Sequence, residues 1–449
     1  MNTKKKTRSR WFQVNLRTFL VVVALFALGA GWFNWMLNRA RTQREAVEWV
    51  LENGGKVEYA FQVGSNKKAK PDYVPQYLVD SLGIDFFSTI ESTEIHIADA
   101  TPLRRFTGLK VLNLDRANDI SPIANLTQLT RLDLGNFFAG VNDLSPLENL
   151  TELTELQLGW GHDTHDHSPL ANMTKLTKLT LGDVSDITPL ANLTELTELY
   201  VNSIWRADDL APLANLTQLT ELTLAELNVE ADLSPLANMT KLTKLTVQSD
   251  TLSDLSPLSN LTQMSELQFG FTGASDLSPL ENMTRLTKLM LHSDTLSDIS
   301  DLENLTQLTE LQLGFTEACD PSPLANLTKL TKLTLQSDTF SDLTALANLT
   351  QLTELQLTWK SEAIDLSPLA DLTKLTKLTL RSDTLSDLSP LANLTQLTEL
   401  QLGPTAASDL SPLVSLTRLT KLRLRQHNIS VAECDALQKI LPNLKIERF

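Results

Sequence analysis

One phrase, apolar-x-x-apolar-x-apolar, recurs sixteen times between Leu109 and Ile446, as in Leu308-Thr-Glu-Leu311-Gln-Leu313 and Leu330-Thr-Lys-Leu333-Thr-Leu335. Its starts, from Leu109, Leu129 and Leu153 to Leu419 and Leu441, are 20 to 24 residues apart. Each phrase predicts one short strand whose alternate leucines point inward. A single such unit cannot bury its apolar face alone and must stack on its neighbours.

This arrangement predicts an α/β solenoid of the leucine-rich-repeat type: a horseshoe with a parallel β-sheet on the concave face and short helical or 3₁₀ turns on the convex face. At ~4.8 Å between strands, such a stack would be on the order of 75 Å long. Function then belongs to a long surface and not to a deep pocket. Between strands runs Ser253-Asp-Leu-Ser256-Pro257-Leu-Ser-Asn-Leu-Thr262. Ser256 suits an N-cap and Pro257 the first helical position, so each repeat is expected to carry one short turn on its convex side.

Before the array, Thr18 to Leu37 reads TFLVVVALFALGAGWFNWML without a charge. At ~1.5 Å per residue these residues suffice for a bilayer core of ~30 Å. Trp11, Trp32 and Trp35 lie near its ends, as interfacial aromatics do. Residues 1–37 hold six basic residues and no acidic one, and Arg39, Arg41 and Arg44 follow. The excess of positive charge on the N-terminal side predicts a cytoplasmic N-terminus and a solenoid beyond the inner membrane. Ala27-Leu28-Gly29 leaves a cleaved secretory signal as the alternative. The expected organisation is a basic segment at 1–17, a signal-anchor at 18–37, a membrane-proximal cap at 38–108 and the repeat domain at 109–446.

Within 39–52, Ala46, Val47, Val50 and Leu51 share one side at helical spacing, and Asn53-Gly54-Gly55 stops the pattern. Lys56–Val63 alternates like a strand. Tyr77, Leu78, Leu82, Phe86 and Phe87 are expected to cover the open end of the first rung. Ser430-Val-Ala-Glu433 is a capping-box pattern opening a helix through Ile440 at the other end.

Of the 38 basic residues, 32 lie beyond the N-terminal segment, against 54 acidic ones. So acidic a body repels phosphate backbones and argues against a nucleic-acid partner. Cys319 and Cys434 fall about five rungs apart, roughly 25 Å at the strand spacing, beyond disulfide reach.

The stretch Ser386-Asp-Leu-Ser-Pro-Leu-Ala-Asn-Leu-Thr-Gln-Leu-Thr-Glu-Leu-Gln-Leu402 resembles the repeat unit of internalin-type bacterial leucine-rich-repeat proteins. The Arg10-Trp-Phe-Gln13 and Leu16-Arg-Thr-Phe-Leu20 start, Arg44-Glu-Ala-Val47, Gly54-Gly55 and Leu441-Pro-Asn-Leu-Lys-Ile446 resemble single-pass leucine-rich-repeat proteins of planctomycete-type bacteria. The second resemblance implies a membrane location more than an activity. Where internalins carry an asparagine ladder, this chain has Asp250, Asp294, Asp338 and Asp383 or Thr272, Thr316 and Thr405, so host-cell adhesion is not carried over.

The third position of the strand phrase reads Lys178, Glu198, Glu221, Lys244, Glu266, Lys288, Glu310, Lys332, Glu354, Lys377, Glu399, Lys421. Opposite charges are thus expected to face each other along the concave side as a self-neutralising ladder, which leaves little charge for a ligand. Two positions beyond the phrase, Trp160, Phe271, Phe315 and Trp359 alternate with Ser249, Ser293, Ser337 and Ser382. The four aromatics are the candidate ligand-binding edge for a peptide or glycan. The other reading is core filling, because Ala274 and Ala318 follow the aromatics where Leu252, Leu296, Phe340 and Leu385 follow the serines.

His162, His165 and His167 share a short stretch with Asp163 and Asp166 and are candidate metal ligands, with a solvated polar insertion as the alternative. His96, His292 and His427 are isolated in sequence. Asn-x-Thr sequons such as Asn326-Leu-Thr328 recur so regularly that they read as turn residues. Phosphate loops, HExxH pairs and nucleophile elbows are not found. These features predict a non-enzymatic scaffold that needs no cofactor and presents its solenoid to a protein partner, with a glycan-binding adhesin as the alternative.

Overall fold

The computed structural model describes residues 16–448 except 63–69, 72, 136–142, 160–165, 205–209, 228–231, 250–251, 316–319, 339, 341, 361–363 and 426–428. The described residues start with one unbroken helix, α1 (Leu16–Glu52). Two cap strands follow, β1 (Lys56–Tyr59) and β2 (Ile90–His96), with short helices α2 (Gln76–Leu82) and α3 (Ile84–Phe87) between them. The sixteen repeated phrases give the sixteen strands β3 (Val111–Asp115) to β18 (Lys445–Arg448). β1 runs antiparallel to β2, and from β2 onward each strand is parallel to the next in chain order.

The interior is built by period two along the strands and by the turns behind them. In one rung Leu255, Leu258, Leu261, Met264, Leu267 and Phe269 are each no more than 2% exposed. Burial of one such side chain contributes about 1.5–3 kcal/mol, so a rung is stable only when both neighbours cover it.

Two repeated polar devices hold the register. A threonine or serine just before each strand from β4 to β17 donates its hydroxyl to the carbonyl of the equivalent residue one rung back: Thr309 Oγ1 to Thr287 O at 3.1 Å, Thr331 Oγ1 to Thr309 O at 3.1 Å, Thr353 Oγ1 to Thr331 O at 3.0 Å. The same carbonyls accept backbone N–H groups from the next rung, as when Thr309 N reaches Thr287 O at 2.8 Å.

The second device corrects the expected turn. Ser256 is the first residue of a 3₁₀ turn and not its cap, and the capping backbone position, Leu255, has no side-chain bond. The acceptor is Asp254, whose Oδ1 takes the Ser256 N–H at 2.8 Å. The same aspartate-to-N–H bond recurs at Asp232, Asp276, Asp320, Asp365, Asp387 and Asp409. It is an Asx turn, which presets the chain for the tight helical turn that follows. Bonds from the Ser234 and Ser389 hydroxyls, then from their N–H groups, hold the Asp232 and Asp387 carboxyls below their usual range.

The N-terminal end is closed by different means. Ala40, Gln43, Ala46, Val47 and Val50 of α1 are buried against the cap, whereas Leu51, expected on that face, is 54% exposed. Gln43, a polar residue on the buried face, finds partners there: Nε2 donates to Asp85 Oδ1 at 3.0 Å and to Ser88 O at 2.9 Å. Asp85 also accepts from Tyr59 Oη at 3.0 Å and lies 3.4 Å from Arg44 Nε. Gly55 allows α1 and β2 to meet, since a Cβ there would stand 2.6 Å from Val50 Cγ1 and 2.7 Å from Glu94 O.

Of the residues expected to cover the first rung, Phe86 is buried, while Tyr77 is 66% exposed. The expected strand at Lys56–Val63 stops at Tyr59, and Val63 lies outside the described residues. At the far end Ser430 Oγ accepts from Glu433 N at 3.2 Å, opening α4 (Val431–Ile440) as the capping box predicts. Cys434 of α4 is buried, and Cys319 lies outside the described residues.

Candidate functional site

The outward row of the concave sheet carries the charge ladder, in the register the sequence implies: Arg131 opposite Glu155, Glu155 opposite Lys178, Lys178 opposite Glu198, and on through Glu399 opposite Lys421. Neighbours pair at contact distance, as in Arg131–Glu155 at 2.8 Å, Lys178–Glu198 at 2.7 Å and Lys377–Glu354 at 3.1 Å. A hydrogen bond to Glu198, and then that carboxylate's charge, raises the Lys178 pKa, and Glu354 acts on Lys377 in the same way. These pairs are solvent-exposed, so they set register more than they add stability.

The alternation fails at two places. On β7 (Glu198–Ile204) and β8 (Glu221–Leu227), Glu198 faces Glu221. At the C-terminal end Lys421 faces Lys445. The second break is answered locally, because Glu447 takes Arg423 Nε at 3.0 Å and Lys445 Nζ at 3.0 Å, which pull its pKa down to about 2. The first is answered only from outside: Glu198 pairs with Lys178, and Glu221 shares Lys244, at 3.2 Å, with Glu266 at 3.7 Å.

A concave hollow of about 330 Å³ lies over this first break, lined by Arg131, Glu155, Lys178, Glu198, Tyr200 and Glu221 among others. Tyr200 is the one aromatic in that lining and is partly exposed. Its position in the strand phrase is held by Thr180 and Thr223 on the adjoining rungs. Asn202, beside it on β7, donates to Asp183 Oδ1 at 3.1 Å. The aromatic and the charge break were both legible in the sequence, but only the register shows that they meet.

The sequence-predicted edge is placed differently. Trp359 is 1% exposed, and its indole N–H has no hydrogen-bond partner among the described residues. At this position core filling is therefore what the structure has, and a ligand could reach the ring only if the rung opened. Phe271 and Phe315 sit on β10 (Glu266–Thr272) and β12 (Glu310–Phe315), next to His292 and Ser293 of β11 (Lys288–Ser293). Trp160 lies outside the described residues. The alternate serines are interior, with Ser249, Ser293, Ser337 and Ser382 no more than 3% exposed. Ser293 Oγ donates to Ala274 O at 2.6 Å, so the small rung supplies a carbonyl where the serine rung supplies a hydroxyl. Thr272 and Thr405, at the asparagine-ladder position, donate to His292 O at 3.2 Å and Leu385 O at 2.9 Å.

Of the candidate metal ligands, His162 and His165 lie outside the described residues, and His167 is 8% exposed at the start of a 3₁₀ turn. His96, isolated in sequence, stands beside two carboxylates, with Nδ1 3.2 Å from Asp115 Oδ2 and Nε2 3.7 Å from Glu94 Oε1. Among the described residues no three His, Cys, Asp or Glu side chains are grouped so as to hold a metal ion.

Comparison with known proteins gives no matching family model and no matching curated protein. Solved structures do match. A leucine-rich-repeat protein of Leptospira interrogans has a TM-score of 0.61 at 17% identity, covering 79% of this chain and 100% of that one. The leucine-rich-repeat ectodomain of the Arabidopsis receptor kinase HAESA, in complex with a peptide hormone ligand, has a TM-score of 0.59 at 17% identity, covering 92% and 77%. An internalin of Listeria monocytogenes is 29% identical with a TM-score of 0.43, covering 85% and 92%. The repeated strand phrase, the sheet running rung by rung and the 3₁₀ turns behind it give this chain the leucine-rich-repeat fold.

Proposed function

We propose that the chain is a non-enzymatic scaffold, anchored by α1 in the inner membrane with its solenoid on the extracytoplasmic side, that docks a protein or peptide partner on its concave face. The observation that carries this reading is the hollow over Glu198, Tyr200 and Glu221. Apart from Lys421 and Lys445 at the C-terminal end, the ladder alternates in sign elsewhere; here two carboxylates face each other, each with a lysine only on its other side, and an aromatic ring lies alongside. A lysine or arginine side chain from a partner would complete the alternation and lie against the Tyr200 ring. That the HAESA ectodomain forms a complex with a peptide hormone ligand agrees with a solenoid of this fold holding a peptide. The membrane part of the reading is supported by α1, a helix long and apolar enough to cross a bilayer.

The test is affinity capture from the native envelope with the full chain and with a Tyr200→Ala, Glu221→Gln double variant. Recovery of a partner that falls by about tenfold or more in the variant is expected, the size of a lost interface hot spot. Equal recovery by both proteins would overturn the docking site.

A further inference from the structure

We infer that the aromatic side of the N-terminal cap, where Tyr73 and Phe87 lie over the buried Phe86 ring, is a lipid-contact surface that rests in the headgroup layer beside α1. The inference rests on the reading of α1 as a membrane span and adds a second point of contact with the bilayer.

The argument is one of levels. Arg17 immediately precedes the apolar segment at 18–37, so the segment cannot slide far toward its N-terminus without drawing a charge into the hydrocarbon. Phe33 is four residues from the end of that segment, about 6 Å along the helix axis. Yet the Phe33 ring already touches the cap, with its centroid 5.6 Å from that of Phe86. Phe86 stacks edge-on against Phe87 at 5.1 Å, and Tyr73 Oη donates to Phe87 O at 3.3 Å.

The headgroup layer on each side of the core is about 5–8 Å thick. A cap that touches Phe33 therefore cannot stand clear of it. α1 offers no hinge to lift the cap away: it is helical from Leu16 to Glu52, and Ala40, Gln43, Ala46, Val47 and Val50 are buried against the cap. The side chains at this level suit the place. Tyr73 is 76% exposed, Trp32 and Trp35 are both more than half exposed, and the Arg39 guanidinium lies 5.9 Å from the Trp35 ring centroid. Aromatics with one wet edge and arginines at a helix end collect in the interfacial layer.

The experiment places a fluorescent amino acid at one position at a time in the full chain. The protein is reconstituted in vesicles of phosphatidylcholine and phosphatidylglycerol with or without brominated acyl chains. Position 26, whose Phe26 is 80% exposed in the middle of the apolar segment, reports the span itself. Position 73 reports the cap, and position 348, an exposed convex residue far along the array, is the control. Loss of emission at 26 and 73 but not at 348 is expected. Loss at 26 with full emission at 73 would overturn the lipid-contact surface and leave the span standing. Full emission at 26 would overturn the span and, with it, this inference. The probe replaces an exposed side chain at 73, and a second label replacing exposed Tyr77 shows whether the α2 side of the cap is drawn in too.

Discussion

The N-terminal cap and the repeat array solve the same problem, closing a stack of parallel strands, with opposite economies. In the array most positions recur: rung after rung repeats an interior leucine set, a hydroxyl-to-carbonyl bond and an Asx turn. In the cap much rests on one carboxylate, Asp85, which gathers Gln43, Tyr59 and Arg44 from α1 and β1. Redundancy makes the array tolerant and its registry cooperative, whereas the cap has single points of failure.

The comparison can be broken by substitution. Leu333→Ala and Leu289→Ala, both fully buried in different rungs, should each cost about 2–5 kcal/mol in urea unfolding, and by similar amounts. A large disparity between them would deny that the rungs are equivalent.

Asp85→Ala should cost about 1–3 kcal/mol, because buried donors lose their acceptor. Hydrogen exchange should place the damage in β1 and the second half of α1, with the central rungs unchanged. The Tyr59 phenol, whose pKa is raised by burial first and by Asp85 second, should then ionise at lower pH, which absorbance of the phenolate reads directly. Protection lost uniformly through the solenoid would show that the cap is not a separate weak point.

A single ladder bond should matter least among the substitutions. Thr331→Val removes one hydroxyl donor and should cost about 1 kcal/mol or less, whichever rung is chosen.

The Asx turns sharpen the contrast through pH. Hydrogen bonds from the hydroxyl and N–H of the serine two residues on lower the pKa values of Asp143, Asp232, Asp365 and Asp387. A lowered folded-state pKa means that the stabilisation is present above the unfolded value, near 3.8, and is lost as pH falls through the lower folded value. Thermal melts followed by circular dichroism should therefore be flat from neutral pH to about 5 and decline below about 4. Asp387→Asn, which keeps a carbonyl acceptor without the charge, should blunt that decline slightly.

What was legible in the sequence follows from how local each feature is. The strand phrase, the span and the Ser430 helix start are complete within a few residues and so could be read directly. The Asx acceptor is on view as Asp254 two residues before Ser256, yet a Ser-Pro pair equally fits an ordinary α-helix start with Ser256 as the N-cap. Gln43 could not be read as a core residue, because its partner Asp85 is 42 positions away. Trp359 could not be separated from a ligand edge, because a binding aromatic and a core-filling one would occupy the same position in the repeat. The ladder was legible as a pattern, but its break gains meaning only where Glu198, Tyr200 and Glu221 line one hollow.

The most direct test of the scaffold reading is photo-crosslinking in the native envelope. A crosslinking amino acid would be placed at Thr223 in the hollow and, in a separate protein, at Asn348 on the convex side. The account predicts a discrete partner captured from position 223 and absent from position 348. Capture from 348 alone, or the same set of products from both positions, would contradict it.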